Sequence, residues 1–338
     1  MVFYKVEENR SDVEQMAIQS RDLQGAYEQA VQVIEQVRGV IVNKDAVVAK
    51  TMMAILANGH ILLEDVPGVG KTTLALAFSK AMNLDCKRLQ FTPDVMPSDV
   101  VGFTVFNKQS GAFEYKSGAA LCNLFLADEI NRTSSRTQSA LLELMEERKV
   151  TVDGVTHELP QPYIVIATQN PVGSVGTQLL PDSQLDRFMI CLTMGYPNKA
   201  SEIGILKGRE TGDPLDAVRP VITGAAIQSI QRLIDNIYMD DAVYDYLLSL
   251  VQATREDPRL CLGISPRGSI SLMRMAKTSA FLRGRDYVLP SDLQFIFLDT
   301  CTHRVVLTAK AKAETNALSV LTSIQKNVPA PAMKRKTV

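Results

Sequence analysis

The residues able to do chemistry in this chain fall in short runs separated by apolar segments. The first run is Pro67-Gly68-Val69-Gly70-Lys71-Thr72-Thr73. Glycines at 68 and 70 let successive backbone N–H groups turn inward on an anion, and Lys71 can reach the outer phosphates of a nucleotide. The Thr72 hydroxyl is of the kind that ligates Mg²⁺. These residues read as a phosphate-binding loop with one departure: the strict pattern begins with a glycine where this chain has Asp65. An ordinary glycine turn is the competing reading.

Leu124-Phe125-Leu126-Ala127-Asp128-Glu129 is the natural complement. A hydrophobic strand would deliver Asp128 to the edge of a sheet, where it can hold Mg²⁺ through water. Glu129, one residue on, can polarise a water for in-line attack on a γ-phosphate. A buried strand ending in surface carboxylates is commonplace, so the weight comes from the pairing with the loop. The adjacent glutamate favours hydrolysis over transfer to a small-molecule acceptor. Asn170 ends the buried run YIVIATQN and can orient the attacking water; before Pro171, it can also simply start a turn.

Two arginines complete the set. Arg187, in LLPDSQLDRF, precedes a short strand and can serve a neighbouring subunit as an arginine finger, or it can pair locally with Asp186. Arg267, in ISPRGS, begins a helix, a poor place for a cation beside the helix dipole. That misfit points to an anionic ligand or to a nearby carboxylate.

The elements that must position these groups are legible in the apolar pattern. Helical spacing runs over 21–38 and about 44–57, and HILLE (60–64) is a short buried strand. Strand, glycine-rich turn and helix in succession open a doubly wound α/β domain. CKRLQF (86–91), NLFLADE (123–129), YIVIATQN (163–170) and FMICL (188–192) read as further strands, and 134–147 as an amphipathic helix. Continuous apolar strands imply a parallel sheet covered on both faces. KVTVDGVTHEL (149–159) alternates around Asp153-Gly154, a hairpin signal, and exposes Lys149, Thr151, Asp153 and His157. After Pro197 no buried strand recurs. Segments at about 199–210, 223–236, 240–254, 267–284 and 291–308 predict a smaller all-helical second domain. His60, Met52 and Met53 read as core around the first strand.

Length and composition agree. The 338 residues suit two domains, and 46% hydrophobic with 22% charged residues excludes a wholly disordered chain. A net charge of −1, no tryptophan and no aromatic-basic stripe disfavour a nucleic-acid motor. No apolar run approaches the ~20 residues of a membrane span. The start, MVFYKVEENRSD, lacks the layout of a secretory signal. Cys86, Cys122, Cys191, Cys261 and Cys301 are scattered without metal or disulfide spacing, and so read as reduced core thiols in a cytoplasm.

The motifs resemble the MoxR group of AAA+ ATPases, in the branch with an insert in helix 2. The carriers are LLEDVPGVGKTTLA (62–75), LQFTPDVMPSDVVGF (89–103), LFLADEINRTSSRTQSALLELMEERKVTVDG (124–154), IATQNPVGSVGT (166–177), LLPDSQLDRF (179–188) and SPRGSISLMRMAK (265–277). The match runs in family order over about 21–310. The resemblance implies a P-loop NTPase core with a parallel sheet and a helical C-terminal lid, assembled as a homo-oligomer, commonly a hexameric ring, with ATP and Mg²⁺ between subunits. Pro67 to Thr73 look like Walker A, and Asp128 and Glu129 like Walker B. Thr72 and Asp128 look like the Mg²⁺ holders, Asn170 like sensor 1, Arg187 like the arginine finger and Arg267 like sensor 2.

The corresponding domain plan is a flexible segment over 1–20, a core over 21–209, a linker over 210–220, a lid over 221–326 and a flexible basic tail over 327–338. The helix-2 insert falls at about 97–118 and a second hairpin at about 149–160. A MoxR-type chaperone aiding maturation or metal cofactor insertion is implied, beside a partner with a von Willebrand factor A domain; the alternative is the motor of a magnesium-chelatase-like complex. A non-hydrolysing scaffold should have lost Glu129, Asn170 or Arg187. Asn131 and Arg132 follow the acidic pair closely enough to couple nucleotide state to a subunit interface.

Overall fold

The computed structural model describes residues 10–170, 180–210 and 212–332, with side chains of the first helix from Asp22 onward. Helix α1 spans Arg10–Arg38. It starts earlier than the expected Arg21: residues 10–20 hold no Gly or Pro, so the helical turns that follow propagate backward. Residues 1–9 lie outside the described ones.

Helix α2 (Asp45–Leu56) buries Met52 and Met53, and leads to strand β1 (Ile61–Glu64) and helix α3 (Lys71–Ala81). Strand β2 (Cys86–Gln90) follows. The expected insert resolves into a short helix α4 (Pro97–Val101) and a hairpin, β3 (Gly102–Asn107) with β4 (Ala112–Ser117). Next come β5 (Leu124–Asp128) and α5 (Ser135–Glu147), the latter capped by the Ser134 hydroxyl, which accepts the Thr137 N–H. The second hairpin is β6 (Lys149–Val152) with β7 (Val155–Glu158). Strand β8 (Ile164–Gln169), helix α6 (Asp182–Leu185), strand β9 (Ile190–Leu192) and helix α7 (Lys199–Glu210) close the first part.

The main sheet runs β2-β5-β8-β1-β9, and all its pairings are parallel. Strand β1 lies inside the sheet, and the chain crosses from it to the edge at β2. That reversal opens a crevice beyond the carboxyl ends of the strands, where open α/β sheets bind ligands. The register aligns Gln90 with Asp128 and Glu64 with Gln169, so the polar ends of β1, β5 and β8 meet at one rim.

Alternation within each strand feeds two cores. Leu124, Leu126, Ile164 and Ile166 pack with α1, α2 and α3, while Phe125, Ala127 and Val165 pack with α5. Both faces are therefore covered, as continuous apolar strands require.

The second part contains α8 (Gly224–Asp235), α9 (Asp241–Glu256), α10 (Pro266–Phe281), α11 (Pro290–Cys301), α12 (Ala309–Glu314) and α13 (Ala317–Asn327). It is not wholly helical. Strands β10 (Leu260–Leu262) and β11 (Val306–Leu307) form a small antiparallel ribbon, too short to leave a period in the sequence. The expected segment 291–308 accordingly divides at Cys301.

Within 212–220, Leu215 and Val218 are buried, and Lys80 Nζ donates to the Leu215 carbonyl at 3.0 Å. Of the expected tail, residues 333–338 lie outside the described ones. Cys122 and Cys301 are core thiols as expected, whereas Cys261 is exposed. Among the described residues no helix is long and apolar enough to cross a membrane.

Candidate functional site

The glycine-rich turn leaves β1 and feeds directly into α3. Gly68 has φ 83° and Gly70 φ 97°, the left-handed region that only glycine adopts freely. Gly70 caps α3 without any side-chain cap, and no acidic residue stands in the first turn. Among the described residues no side chain claims the first N–H groups of the helix.

Lys71 is buried, and its Nζ donates to the Asp65 carbonyl at 2.7 Å. Desolvation holds the amine below the ordinary lysine range, opposed by the charges of Asp65, Asp128 and Glu129. Pro67 and Gly68 are exposed, while Val69, Thr72 and Thr73 are half-buried. The departure at position 65 has a structural reason. The Asp65 carboxylate accepts the Val66 N–H at 2.8 Å and the Gly195 N–H at 2.5 Å, tying the start of the loop to the chain beyond β9.

Asp128 ends β5 with its side chain buried. One oxygen accepts the Thr168 hydroxyl at 2.6 Å; the other accepts Arg88 Nη2 at 2.7 Å and Nε at 3.2 Å. Glu129 follows at φ 58° and ψ 48°, left-handed backbone that a glutamate adopts only at a cost of about 1–3 kcal/mol. That turn takes its carboxylate out of the strand line. Its N–H donates to Thr168 Oγ1 at 2.9 Å, so one hydroxyl fixes both acids. Glu129 Oε1 accepts Asn170 Nδ2 at 3.0 Å, and Oε2 pairs with Arg132 at 2.8 Å.

Asn131 holds Asn170 in turn, its Nδ2 donating to the Asn170 carbonyl at 3.2 Å while its Oδ1 accepts the Asn170 N–H at 3.4 Å. Among the described residues the Asn170 Oδ1 is buried without a hydrogen-bond partner, an unmet acceptor beside the Glu129 carboxylate. Residues 171–179, including Pro171, lie outside the described ones.

The donor set fits a nucleotide and its cation. The Thr72 side chain makes no hydrogen bond among the described residues, and Asp128 stands across the rim near Lys71, whose amine feels its charge. No group of three His, Cys, Asp or Glu side chains among the described residues could hold a metal alone. A Mg²⁺ ion here would complete its shell with phosphate oxygens and water.

The two arginines lie elsewhere. Arg187 pairs with Glu146 at 2.9 Å and donates to the Leu142 carbonyl at 2.6 Å, and its buried Nε has no partner among the described residues. Arg267, in the first turn of α10, pairs with the same Glu146 carboxylate. The local pair of Arg187 with Asp186 does not form. Asp186 instead accepts Arg304 Nε at 2.9 Å and the Ser265 hydroxyl at 2.8 Å. Arg304, its side chain 1% exposed, also donates to the carbonyls of Phe188 and Met189, at 2.6 and 3.1 Å. No hydrogen bond or ion pair among the described residues joins Arg187 or Arg267 to residues 67–73 or to the acidic pair.

Sequence reasoning passed over Arg88, Thr168, Glu146 and Arg304. Thr168 carried a signal, a lone hydroxyl in an otherwise apolar strand. Glu146 carried another: the last turn of α5 holds glutamates and no base, against the helix dipole. Arg88 and Arg304 left none.

The two hairpins touch through the rings of Tyr115 and His157, stacked at 3.9 Å and 14°. Lys149, Thr151 and Asp153 are exposed as expected, but His157 is half-buried by that stack. Phe103, Phe106 and Phe113 of the first hairpin are exposed. His60 is core as expected. Its Nε2 donates to the Met145 carbonyl and its Nδ1 accepts the Val165 N–H, each at 3.0 Å.

Known proteins match this architecture along most of the chain. Residues 60–190 match a family model described as ATPase family associated with various cellular activities (AAA), and residues 252–323 one described as AAA lid domain. The chain is 46% identical to the uncharacterized protein YeaC of Bacillus subtilis, over 89% of its length and 94% of that protein. It is 37% identical to the chaperone MoxR1 of Mycobacterium tuberculosis, over 83% and 76%. A crystal structure from Cytophaga hutchinsonii, presented as a candidate ATPase, superimposes with a TM-score of 0.86 at 34% identity, over 95% of this chain and 99% of that one.

Proposed function

This chain belongs to the MoxR family of AAA+ ATPases, and from that premise we propose that it hydrolyses ATP at junctions between identical subunits, as the motor of a protein-remodelling chaperone. The observation that supports a shared site is the separation of its charges. The loop and the acids converge on the rim of the sheet, while Arg187 and Arg267 are gathered on Glu146 without a hydrogen bond or ion pair to that rim among the described residues.

In this reading the loop amides and Lys71 hold the phosphates, the N-terminus of α3 adding its positive partial charge. Thr72 and Asp128 would hold Mg²⁺, which when bound neutralises charge on the phosphate oxygens. Glu129 takes a proton from the attacking water as its oxygen bonds to the γ-phosphorus and ADP departs with the bonding pair. Asn170 fixes the Glu129 carboxylate through Nδ2, and its unmet Oδ1 can accept from the same water. Arg187 and Arg267 of the adjoining subunit complete the charge stabilisation, so Arg267 acts in trans.

The proposal extends to a core over 21–209, a linker over 210–220 and a lid over 221–326, in a hexameric ring in the cytoplasm. The hairpins near 97–118 and 149–160 would face the client. A partner with a von Willebrand factor A domain, and clients that acquire metal cofactors, complete the proposal by family likeness. The test is steady-state ATP turnover per subunit as protein concentration rises. A rise to a plateau is expected; a flat, nonzero rate from protein shown by sizing to be monomeric would sink the shared site.

A further inference from the structure

Glu146 and Arg267 each sit at the wrong end of a helix. Glu146 lies in the last turn of α5, where the dipole disfavours an anion and no base compensates, and Arg267 lies in the first turn of α10, where it disfavours a cation. The two misfits face each other and pair, and Arg187 joins them on the second oxygen of the same carboxylate at 2.9 Å.

Among the described residues no other acid pairs with these arginines, although Glu143 and Glu147 line a cavity beside Arg187. The cavity beside them is lined by Arg148, Arg187, Arg267 and Arg274 against Glu146 and Asp186, and Asp186 is committed to Arg304 and Ser265. Arg274 makes no ion pair among the described residues, and with burial it holds the Arg148 guanidinium below its ordinary range. Among the described residues the buried Arg187 Nε is a donor with no acceptor. The surroundings thus gather four guanidinium groups, together with an unspent donor. Both suit a ligand with several anionic oxygens.

A carboxylate whose two oxygens meet two guanidinium groups presents them with the kind of anionic oxygens a phosphate also carries. The pair is also weakly held: the Glu146 side chain is 42% exposed, Arg187 30% and Arg267 44%, so water screens both contacts. Leu142 supplies a second anchor to Arg187 that does not depend on Glu146.

We propose that Glu146 is a displaceable positioning residue: it holds Arg187 and Arg267 side by side within one subunit and yields them to the terminal phosphate of ATP bound in the adjoining subunit. This rests on the shared-site reading above.

The test is self-association by sedimentation velocity, with and without Mg²⁺ and ATP, in a Glu129→Gln background where nucleotide persists. Adding Glu146→Gln should tighten ATP-dependent association about three- to tenfold and leave nucleotide-free association within about twofold, with an unchanged unfolding midpoint. Adding Arg187→Ala should weaken ATP-dependent association. If Arg187→Ala weakens it but Glu146→Gln leaves it unchanged or weakens it, the displaceable carboxylate is wrong and the shared site stands. Equal tightening with and without nucleotide would mean a general charge effect, and also overturns the proposal. If Arg187→Ala has no effect, the shared site fails and the role of Glu146 falls with it.

Discussion

The acidic rim and the arginine pair are opposite in charge and also in construction. At the rim, backbone geometry and buried hydrogen bonds set every group: Thr168 fixes both acids, a left-handed residue aims Glu129, and Asn131 holds Asn170 through two bonds. The arginines come from a turn after α6 and from α10, and half-exposed side chains hold them to one carboxylate. Buried, backbone-set groups are preorganised, and they lose little on meeting a substrate. Exposed ion pairs are cheap to exchange. The contrast teaches a division of labour in the proposed motor, with chemistry fixed at the rim and adjustment left to the arginines.

The largest expected effect breaks the comparison from the arginine side. Arg187→Ala should lower kcat by roughly 10³-fold or more while equilibrium ATP binding to the subunit stays within a few-fold. A fluorescent-nucleotide titration beside the rate assay separates the two; a parallel loss of binding would place Arg187 in its own subunit's site.

Glu129→Gln attacks the rim. Turnover should fall by about 10²–10⁴-fold with ATP still bound. Turnover at the native rate would show that another group takes the water's proton.

Thr168→Val sharpens the claim that the rim is fixed by buried bonds, because valine keeps the shape and removes the hydroxyl. Two contacts go at once, with an expected loss of about 1–3 kcal/mol in urea unfolding and at least tenfold in kcat. Normal turnover with normal stability would mean that the left-handed turn at Glu129 suffices alone.

The smallest effect concerns the joint between the regions. His60 links the end of α5, beside Glu146, to β8 through the Met145 carbonyl and the Val165 N–H. Burial lowers its pKa from 6.5 to about 4. The fold therefore holds it neutral, with its contribution intact above pH 6.5 and lost as pH falls toward 4, up to about 3 kcal/mol. Urea midpoints across that window should decline, and His60→Gln should flatten the decline; an equal slope in both proteins would remove His60 from the account.

The same contrast explains what the sequence made legible. Loop, acids and Asn170 stand in local runs ending apolar strands, so their meeting at one rim follows from a parallel sheet, and the pairing of Gln90 with Asp128 and Leu63 with Thr168 delivers it. Arg187 and Arg267 could be chosen by position but not by partner. Asp186 is next to Arg187 in sequence, yet Arg304 takes it from 118 residues away, and Glu146 wins both arginines by tertiary packing alone. The insert was implied by the family resemblance, but its hairpin left no signal, since β3 and β4 carry exposed phenylalanines where alternation would put polar residues. The ribbon of β10 and β11 was too short for any periodicity.

Mixing two inactive variants tests the shared site most directly. Lys71→Ala lacks the phosphate lysine but keeps its arginines; Arg187→Ala lacks the arginine but keeps its loop. Each alone should be nearly inactive, and an equimolar mixture, unfolded and reassembled or coexpressed, should recover up to about a quarter of wild-type turnover, the share of junctions that pair an intact loop with an intact arginine. Turnover no higher than that of the separate variants, from a mixture shown to co-assemble, would contradict a site built from two subunits.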